Sequence, residues 1–361
     1  MARFDAAGRI AGLAGGAAAL LAIGAAAGLA AENLVAGRVR RREFATDEPY
    51  GTLRGRQFDV VADDGTPLHV DVDETSPTSA ELTVVFSHGY ALTSDSWHFQ
   101  RRDLRDIGRL MFWDQRGHGG SGYGPAKNST LPTLAGDLAR VIDAIPAAAP
   151  IILVGHSMGG MTILELAARQ PELFGTRVKG VALLATSAGD LADVPLGLPG
   201  APGRAVRRIA PMVARGIARS GPLLTAGWER ASDLAFLLTR QYSFGSNVPD
   251  EVTEFVASMI MSTPIDVIAE FLQTLDDHDA QAALATLHNV ETIVVVGGSD
   301  RLTPPSHSEL IVRAVPGADF DVIPDTGHLV MLERYTEVNA RIRDLVARVR
   351  RNVSADDVAT A

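Results

Sequence analysis

Ile151-Ile152-Leu153-Val154-Gly155-His156-Ser157-Met158-Gly159-Gly160 is the stretch on which the reading of this chain turns. Its first four residues are apolar and mostly β-branched, the pattern of a strand buried on both faces. From Met161 to Ala168 apolar residues recur at helical spacing. Between the two lies Gly155-His156-Ser157-Met158-Gly159, a G-x-S-x-G turn. A turn this sharp forces its serine into a strained backbone conformation and leaves no room for Cβ atoms two residues to either side. Glycine meets that demand. The stretch predicts a serine hydroxyl held clear of a sheet, with a helix N-terminus behind it to favour developing negative charge.

Outward from the elbow, the same alternation of strand and helix continues. Residues 57–62 and 68–72 alternate around Asp63-Asp64-Gly65-Thr66-Pro67, a hairpin signal. Residues 82–87 and 109–114 are apolar strands, and 96–107 and 134–145 read as helices. Residues 178–185 form a sixth strand, 292–298 and 320–323 two more, and a helix from 336 to about 351 closes the pattern. Strands alternating with helices imply an α/β fold with a mostly parallel eight-stranded sheet covered on both faces. From 191 to 287 the rhythm breaks into helical patterns with prolines, the mark of a helical cap inserted over the sheet's C-terminal edge. The expected organisation is a core of 44–190 and 288–351, a cap of 191–287 and a flexible tail of 352–361.

The 361 residues suit one such domain with an insertion. Cysteine is absent, which excludes disulfides, thiolate metal sites and a cysteine nucleophile. A formal charge of −10 argues against nucleic acid as a general partner. Lys127 and Lys179 are the only lysines, and this bias toward arginine weakens any argument from arginine count.

Residues 1–43 read as a hydrophobic segment with a basic flank. Residues 10–31 carry no charge and are long enough to span a bilayer, although alanine and glycine dominate and make insertion marginal. A single-span anchor, a cleaved signal peptide and a soluble alanine-rich helix stay open. Arg38, Arg40, Arg41 and Arg42 resist translocation, so the expectation is membrane association with the rest of the chain on the cytoplasmic side, secretion being the alternative. In the cap, Arg204, Arg207, Arg208, Arg215 and Arg219 interleave with Val206, Ile209, Met212, Val213 and Ile217 around Pro211. That basic, partly amphipathic pattern suits either anionic headgroups or a solvated cap face.

A serine hydroxyl is a poor nucleophile at neutral pH and needs a base, which needs an orienting carboxylate. His328, in Asp325-Thr326-Gly327-His328, follows the last strand and so falls at the sheet edge that carries Ser157. Asp300, in Gly298-Ser299-Asp300, follows the preceding strand at the same edge. Asp190, after the sixth strand, is its rival; Asp325 reads as a loop cap. The order Ser157, Asp300, His328 is nucleophile, acid, base. His88, His118 and His156 read as packing around the site. His69, His98, His278, His288 and His307 lack metal-ligand spacing, and no P-loop or dinucleotide fingerprint occurs, so no metal and no cofactor are expected.

With His88-Gly89-Tyr90, Asp114-Gln115-Arg116-Gly117-His118-Gly119-Gly120-Ser121, Gly155-His156-Ser157-Met158-Gly159-Gly160, Gly298-Ser299-Asp300 and Gly327-His328 in this order, the chain from about 57 to 351 resembles the α/β-hydrolase-fold serine hydrolases. The resemblance implies an oxyanion hole formed by the backbone amides of Tyr90 and Met158, with Asp114 and Arg116 pinning their loop. Relatives with aspartate at the elbow, the dehalogenases and epoxide hydrolases, are set aside by Ser157. The elbow resembles that of monoacylglycerol lipases, which implies a carboxylester hydrolase, esterase- or lipase-like, acting on a small-molecule or lipid ester of a hydrophobic acyl group. The Asp-Gln-Arg-Gly loop also resembles proline iminopeptidases. That activity, a haloperoxidase-like hydrolase and a catalytically silent binding protein on the same fold are the alternatives.

Overall fold

In the computed structural model, which describes residues 50–74, 82–191, 194 and 228–360 (the side chains of 228–235 and 356–360 excepted), the apolar runs form one eight-stranded sheet. Its strands are β1 (Arg56–Val61), β2 (Pro67–Asp73), β3 (Thr83–Ser87), β4 (Arg109–Trp113), β5 (Ile151–His156), β6 (Val178–Leu184), β7 (Glu291–Gly297) and β8 (Asp319–Ile323). They lie in the order β1-β2-β4-β3-β5-β6-β7-β8. β2 pairs antiparallel with β1 and β4, and every other pair is parallel. The helices are α1 (His98–Asp103), α2 (Leu131–Asp143), α3 (Met158–Arg169), α4 (Trp228–Ser243), α5 (Asp250–Ser262), α6 (Ile265–Asp276), α7 (Pro305–Ala314), α8 (Val330–Glu333) and α9 (Tyr335–Thr360).

Successive residues of a strand point to opposite faces, and here both faces are buried. Val84, Phe86, Ile152, Val154, Ile293 and Val295 join one core with Val338, Ile342 and Leu345 of α9. Val85, Ile151, Leu153 and Val294 join the other, against Leu138 and Val141 of α2, Ile163 and Leu164 of α3 and Ile311 of α7. Burial on both sides is why the central strands read as unbroken apolar runs.

Between β6 and β7 the described residues form α4, α5, α6 and a 3-10 segment, Gln281–Asn289, and no strand occurs there. Val252, Val256 and Ile260 of α5 share a core with Leu92 and Leu329, while Val267, Phe271 and Leu275 of α6 pack on Met158 and Met161. Thr263 precedes Pro264 and is extended at φ −73, ψ 127, as a pre-proline residue prefers, and α5 and α6 diverge by 93°. Among the described residues no single helix is long and apolar enough to cross a membrane. The apolar segment 10–31 and the arginine-bearing stretch 204–219 lie outside the described residues.

The elements differ from expectation in four places. The helix expected over 96–107 is a 3-10 turn, Ser94–Trp97, followed by α1, which stops at Asp103 as Leu104 leaves helical geometry (φ −105, ψ 14) to bury its side chain. α2 begins three residues earlier than its periodicity indicates, because Thr130 accepts the Thr133 amide and Pro132 is tolerated in a first turn. α7 has no counterpart in the sequence reading, since Pro304-Pro305 reads as loop; as the opening of a helix it loses nothing by lacking an N–H. The tail expected to fray over 352–361 is helical to Thr360, with Val353 packed against the core.

Two arginines are buried in the front half of the molecule. Arg101 lies 2.6 Å from both Asp71 and Asp73. Arg116, 1% exposed, pairs with both oxygens of Asp137 at 2.6 Å and reaches Asp64 at 2.8 Å. Its loop is thereby fixed against β1–β2 and α2, the structural part expected of it. A buried pair contributes little net stability, but breaking it leaves an uncompensated charge. Asp137→Ala leaves Arg116 with Asp64 alone and is therefore expected to cost about 3 kcal/mol, the lower end for a broken buried pair, read as a fall in the urea midpoint. Arg116→Met combined with Asp137→Leu should restore most of that loss.

Candidate active site

Ser157 lies between β5 and α3 with φ +51 and ψ −118, a strained conformation that L-residues avoid. Its neighbours show why the turn needs glycine. A Cβ on Gly155 would come within 2.6 Å of the Gly159 and Gly160 backbone, and one on Gly159 within 2.0 Å of the Ser87 carbonyl. The Ser157 amide donates to Leu184 O (3.0 Å), and its carbonyl accepts from Gly160 N (2.9 Å) and Thr186 Oγ1 (2.7 Å). With its backbone fixed on both sides, the side chain is left partly exposed at the sheet's C-terminal edge.

Asp300 and His328 meet at the same edge. His328 Nδ1 lies 2.9 Å from Asp300 Oδ2. With the carboxylate accepting, Nδ1 is the donor, and in the neutral ring Nε2 is the nitrogen with the lone pair. The Asp300 side chain is fully buried, and it also accepts from Leu302 N (2.8 Å), Thr303 N (3.0 Å) and Thr303 Oγ1 (2.9 Å). Those donors compensate the buried charge. Among the described residues Asp190 makes no hydrogen bond to His328: it is exposed, adopts φ +60, and accepts from Gln281 Nε2 at 3.1 Å. Asp325 occupies a turn with φ +51. Thr303, which reaches both Asp300 and His328 Nδ1 (3.2 Å), is a site residue that sequence reasoning missed. It lies within three residues of Asp300, and no signal in the sequence marks it.

Ser157 and His328 line one cavity of about 100 Å³, which Tyr90 also borders. Leu92, Met161, Val256, Ile260, Leu272 and Leu302 make its walls largely apolar. A larger surface groove of about 460 Å³ beside Asp64, Arg116 and Asp137 shares no lining residue with it, and those charges are paired with one another. Among the described residues the amides of Tyr90 and Met158 donate to no protein acceptor. The Tyr90 hydroxyl donates to the Ile268 carbonyl of α6, and burial raises its pKa. Among the described residues no cluster of three or more acidic or histidine side chains could hold a metal ion.

Three buried histidines surround the site as packing, each with assigned bonds. His88 donates from Nδ1 to Gly89 O (2.8 Å) and accepts the Gln115 amide at Nε2 (2.9 Å). His118 donates from Nδ1 to Arg116 O (3.0 Å) and accepts the amide of Ala91, itself at φ +56. His156 donates from Nε2 to the His328 carbonyl at 3.0 Å. Gln115, quoted in the loop motif without a role of its own, returns Nε2 to His88 O (2.6 Å) and receives Thr162 Oγ1 (2.8 Å), tying the 88–92 loop to α3. Asp114 receives Ser94 N (2.7 Å) and Gly120 N (2.8 Å), a pinning role like that of Arg116.

A family model described as the alpha/beta hydrolase family matches residues 84–341. The chain is 27% identical over 263 residues to the dihydrolipoyllysine-residue acetyltransferase component of the acetoin cleaving system of Cupriavidus necator, covering 72% of this chain but only 62% of that protein. It is 25% identical over 266 residues to an sn-1-specific diacylglycerol lipase of Mus musculus, covering 72% of this chain and 78% of the relative. Among solved structures, a thermophilic esterase from Thermogutta terrifontis superposes with a TM-score of 0.62 at 27% identity, covering 82% of this chain and 99% of the esterase.

The buried histidines set a pH dependence. Burial is the first cause that holds His88, His118 and His156 below the ordinary imidazole value, His118 at about 3, while in the unfolded chain each titrates near 6.5. Below that value the unfolded state binds protons that the folded state refuses. The stability they contribute is complete above roughly pH 6.5 and is lost as pH falls, by about 1.4 kcal/mol per pH unit for His118 and by at most about that for each of the other two. The urea midpoint should drop steadily between about pH 7 and pH 5, and His118→Gln should flatten that slope. A midpoint constant over the range would mean that the three are charged in the fold.

Proposed function

The chain belongs to the alpha/beta hydrolase family, and from that premise we propose that it is a serine hydrolase cleaving carboxylic esters of hydrophobic acyl groups through an acyl-enzyme. The observation that carries this reading is the 2.9 Å bond from His328 Nδ1 to the buried Asp300 carboxylate, beside a cavity whose wall also holds Ser157. That bond leaves Nε2 as the free basic nitrogen. In the proposed reaction Nε2 takes the proton of Ser157 Oγ as Oγ bonds to the acyl carbon, and the electron pair of the C=O bond moves onto its oxygen. The amides of Tyr90 and Met158 receive that oxyanion, each worth roughly 3–4 kcal/mol on the scale of one such donor. Collapse expels the alcohol, protonated by Nε2–H, and water then repeats the sequence to release the acid.

The apolar walls contributed by α5 and α6 suit an acyl chain, and Ser157 excludes an ester link to a carboxylate nucleophile. The names of the relatives, an acetyltransferase component, a diacylglycerol lipase and an esterase, accord with acyl chemistry. No step requires a metal or a redox group.

The test is a fluorophosphonate label, expected on Ser157, together with turnover of p-nitrophenyl esters of graded chain length. Ser157→Ala should fold and lose hydrolysis, leaving only the effects of binding and oxyanion stabilisation. Asp300→Asn should lower turnover roughly 10⁴-fold, as expected when a triad carboxylate becomes an amide and the histidine takes the wrong tautomer. Asp190→Asn should change little. Faster cleavage of proline amides than of esters would replace the ester reading, and a tenth or more of the wild-type rate in Ser157→Ala would remove the nucleophile assignment.

A further inference from the structure

Glu333 ends α8, five residues beyond His328, and the reaction above gives it no part. Its carboxylate is a concentrated acceptor. Oε1 receives the Ser246 amide (2.6 Å) and the Ser246 hydroxyl (2.6 Å), Oε2 receives the Gly327 amide (2.7 Å), and the Gly245 amide lies 3.1 Å from both oxygens. Bonds to an ionised acceptor at such lengths are the strong ones. The donors come from two separate segments. Gly327 immediately precedes His328, whereas Gly245 and Ser246 form the turn that follows α4 in the inserted helical region.

At this junction the two segments touch through bare backbone. A Cβ on Gly245 would lie 2.6 Å from Thr326 C and 2.7 Å from Gly327 N, and one on Gly327 would lie 2.6 Å from Gly245 N. Leu329 N donates to Ser243 O at 3.0 Å on the far side of His328. From the sheet side, a Cβ on Gly297 would meet Gly327 O at 2.2 Å, so the end of β7 closes on the same loop. The histidine loop is thus held between β7 and the α4 turn, and the Glu333 carboxylate is the group that bonds to both partners of the second contact. Without it, three backbone amides at a partly buried junction would lose their acceptor.

We propose that Glu333 is a positioning residue: it ties the turn after α4 to the His328 loop, so that a displacement of the inserted helices is transmitted to the base. This rests on the reading of His328 as the base.

The test uses the full chain with Glu333→Gln, Glu333→Ala and Ser246→Ala, the last removing only the hydroxyl bond on the α4 side. Hydrogen exchange is followed in peptides covering 243–247 and 326–329, alongside the rate of fluorophosphonate labelling of Ser157 and kcat and KM on p-nitrophenyl acetate. In Glu333→Gln both segments should exchange about tenfold faster together, the size of one lost hydrogen bond, while β5 stays protected. Labelling and kcat should fall up to about 100-fold, the scale of a displacement near 1 Å, with KM little changed. Glu333→Ala should be worse and Ser246→Ala milder in the same direction. Faster exchange in one segment alone, or in both with labelling unchanged, overturns the proposal. Wild-type protein that labels but hydrolyses no ester overturns the substrate reading and leaves this one standing; wild-type protein that does not label overturns both.

Discussion

The contact between the first turn of α3 and the end of β3 sets the geometry of everything around it. With no Cβ at 159, the helix backbone comes down onto the Ser87 carbonyl, where a methyl group would lie at 2.0 Å. The parallel pairing of β3 with β5 puts Ser87 opposite Gly155, and the missing Cβ there lets the chain reverse against Gly159 and Gly160. Ser157 takes up the strain of that reversal as a positive φ. Because β3 is pinned at this point, the His88-Gly89-Tyr90 turn leaves the strand beside the serine.

Around the elbow, polar groups are buried in quantity, most of them neutral and bonded, with the buried His156 Nδ1 as the exception. His88, His118 and His156 each use one nitrogen to hold a carbonyl, and burial keeps them from charging. The charges that are buried come with several partners: Asp300 with four donors, Arg116 with Asp64 and Asp137. Such a network fixes loops in single conformations, since any slip leaves an unpaired group in a medium of low polarity.

The cavity is built by parts of the chain that are distant in sequence. Its floor is the elbow, its apolar wall comes from α5 and α6, and its histidine stands on a loop that touches β7 and the α4 turn. His156 and His328, 172 positions apart, are joined by a bond from imidazole to carbonyl and by rings whose centroids are 4.7 Å apart. The strand that ends at Ser157 and the loop that carries His328 therefore support each other directly.

What a few adjacent residues can dictate was legible without any fold. Glycines at 155 and 159 around Ser157 declare a sharp turn because the steric demand is met within five positions, and unbroken apolar runs declare a doubly covered sheet because burial on two faces leaves no polar alternation. The eight strands and their alternation with helices followed from that. Only the packed chain separates the surroundings of Asp300 and Asp190, which both follow strands at the same edge: the first turns inward onto Leu302 and Thr303 amides, the second outward at positive φ toward Gln281. It also decided α7, hidden behind two prolines, the extension of α9 along the core, and the parts of Gln115, Thr303 and Glu333. These depend on contacts such as Gly245 with Glu333, 88 positions apart, whose existence is set by how the layers pack and leaves no mark in the local order of residues.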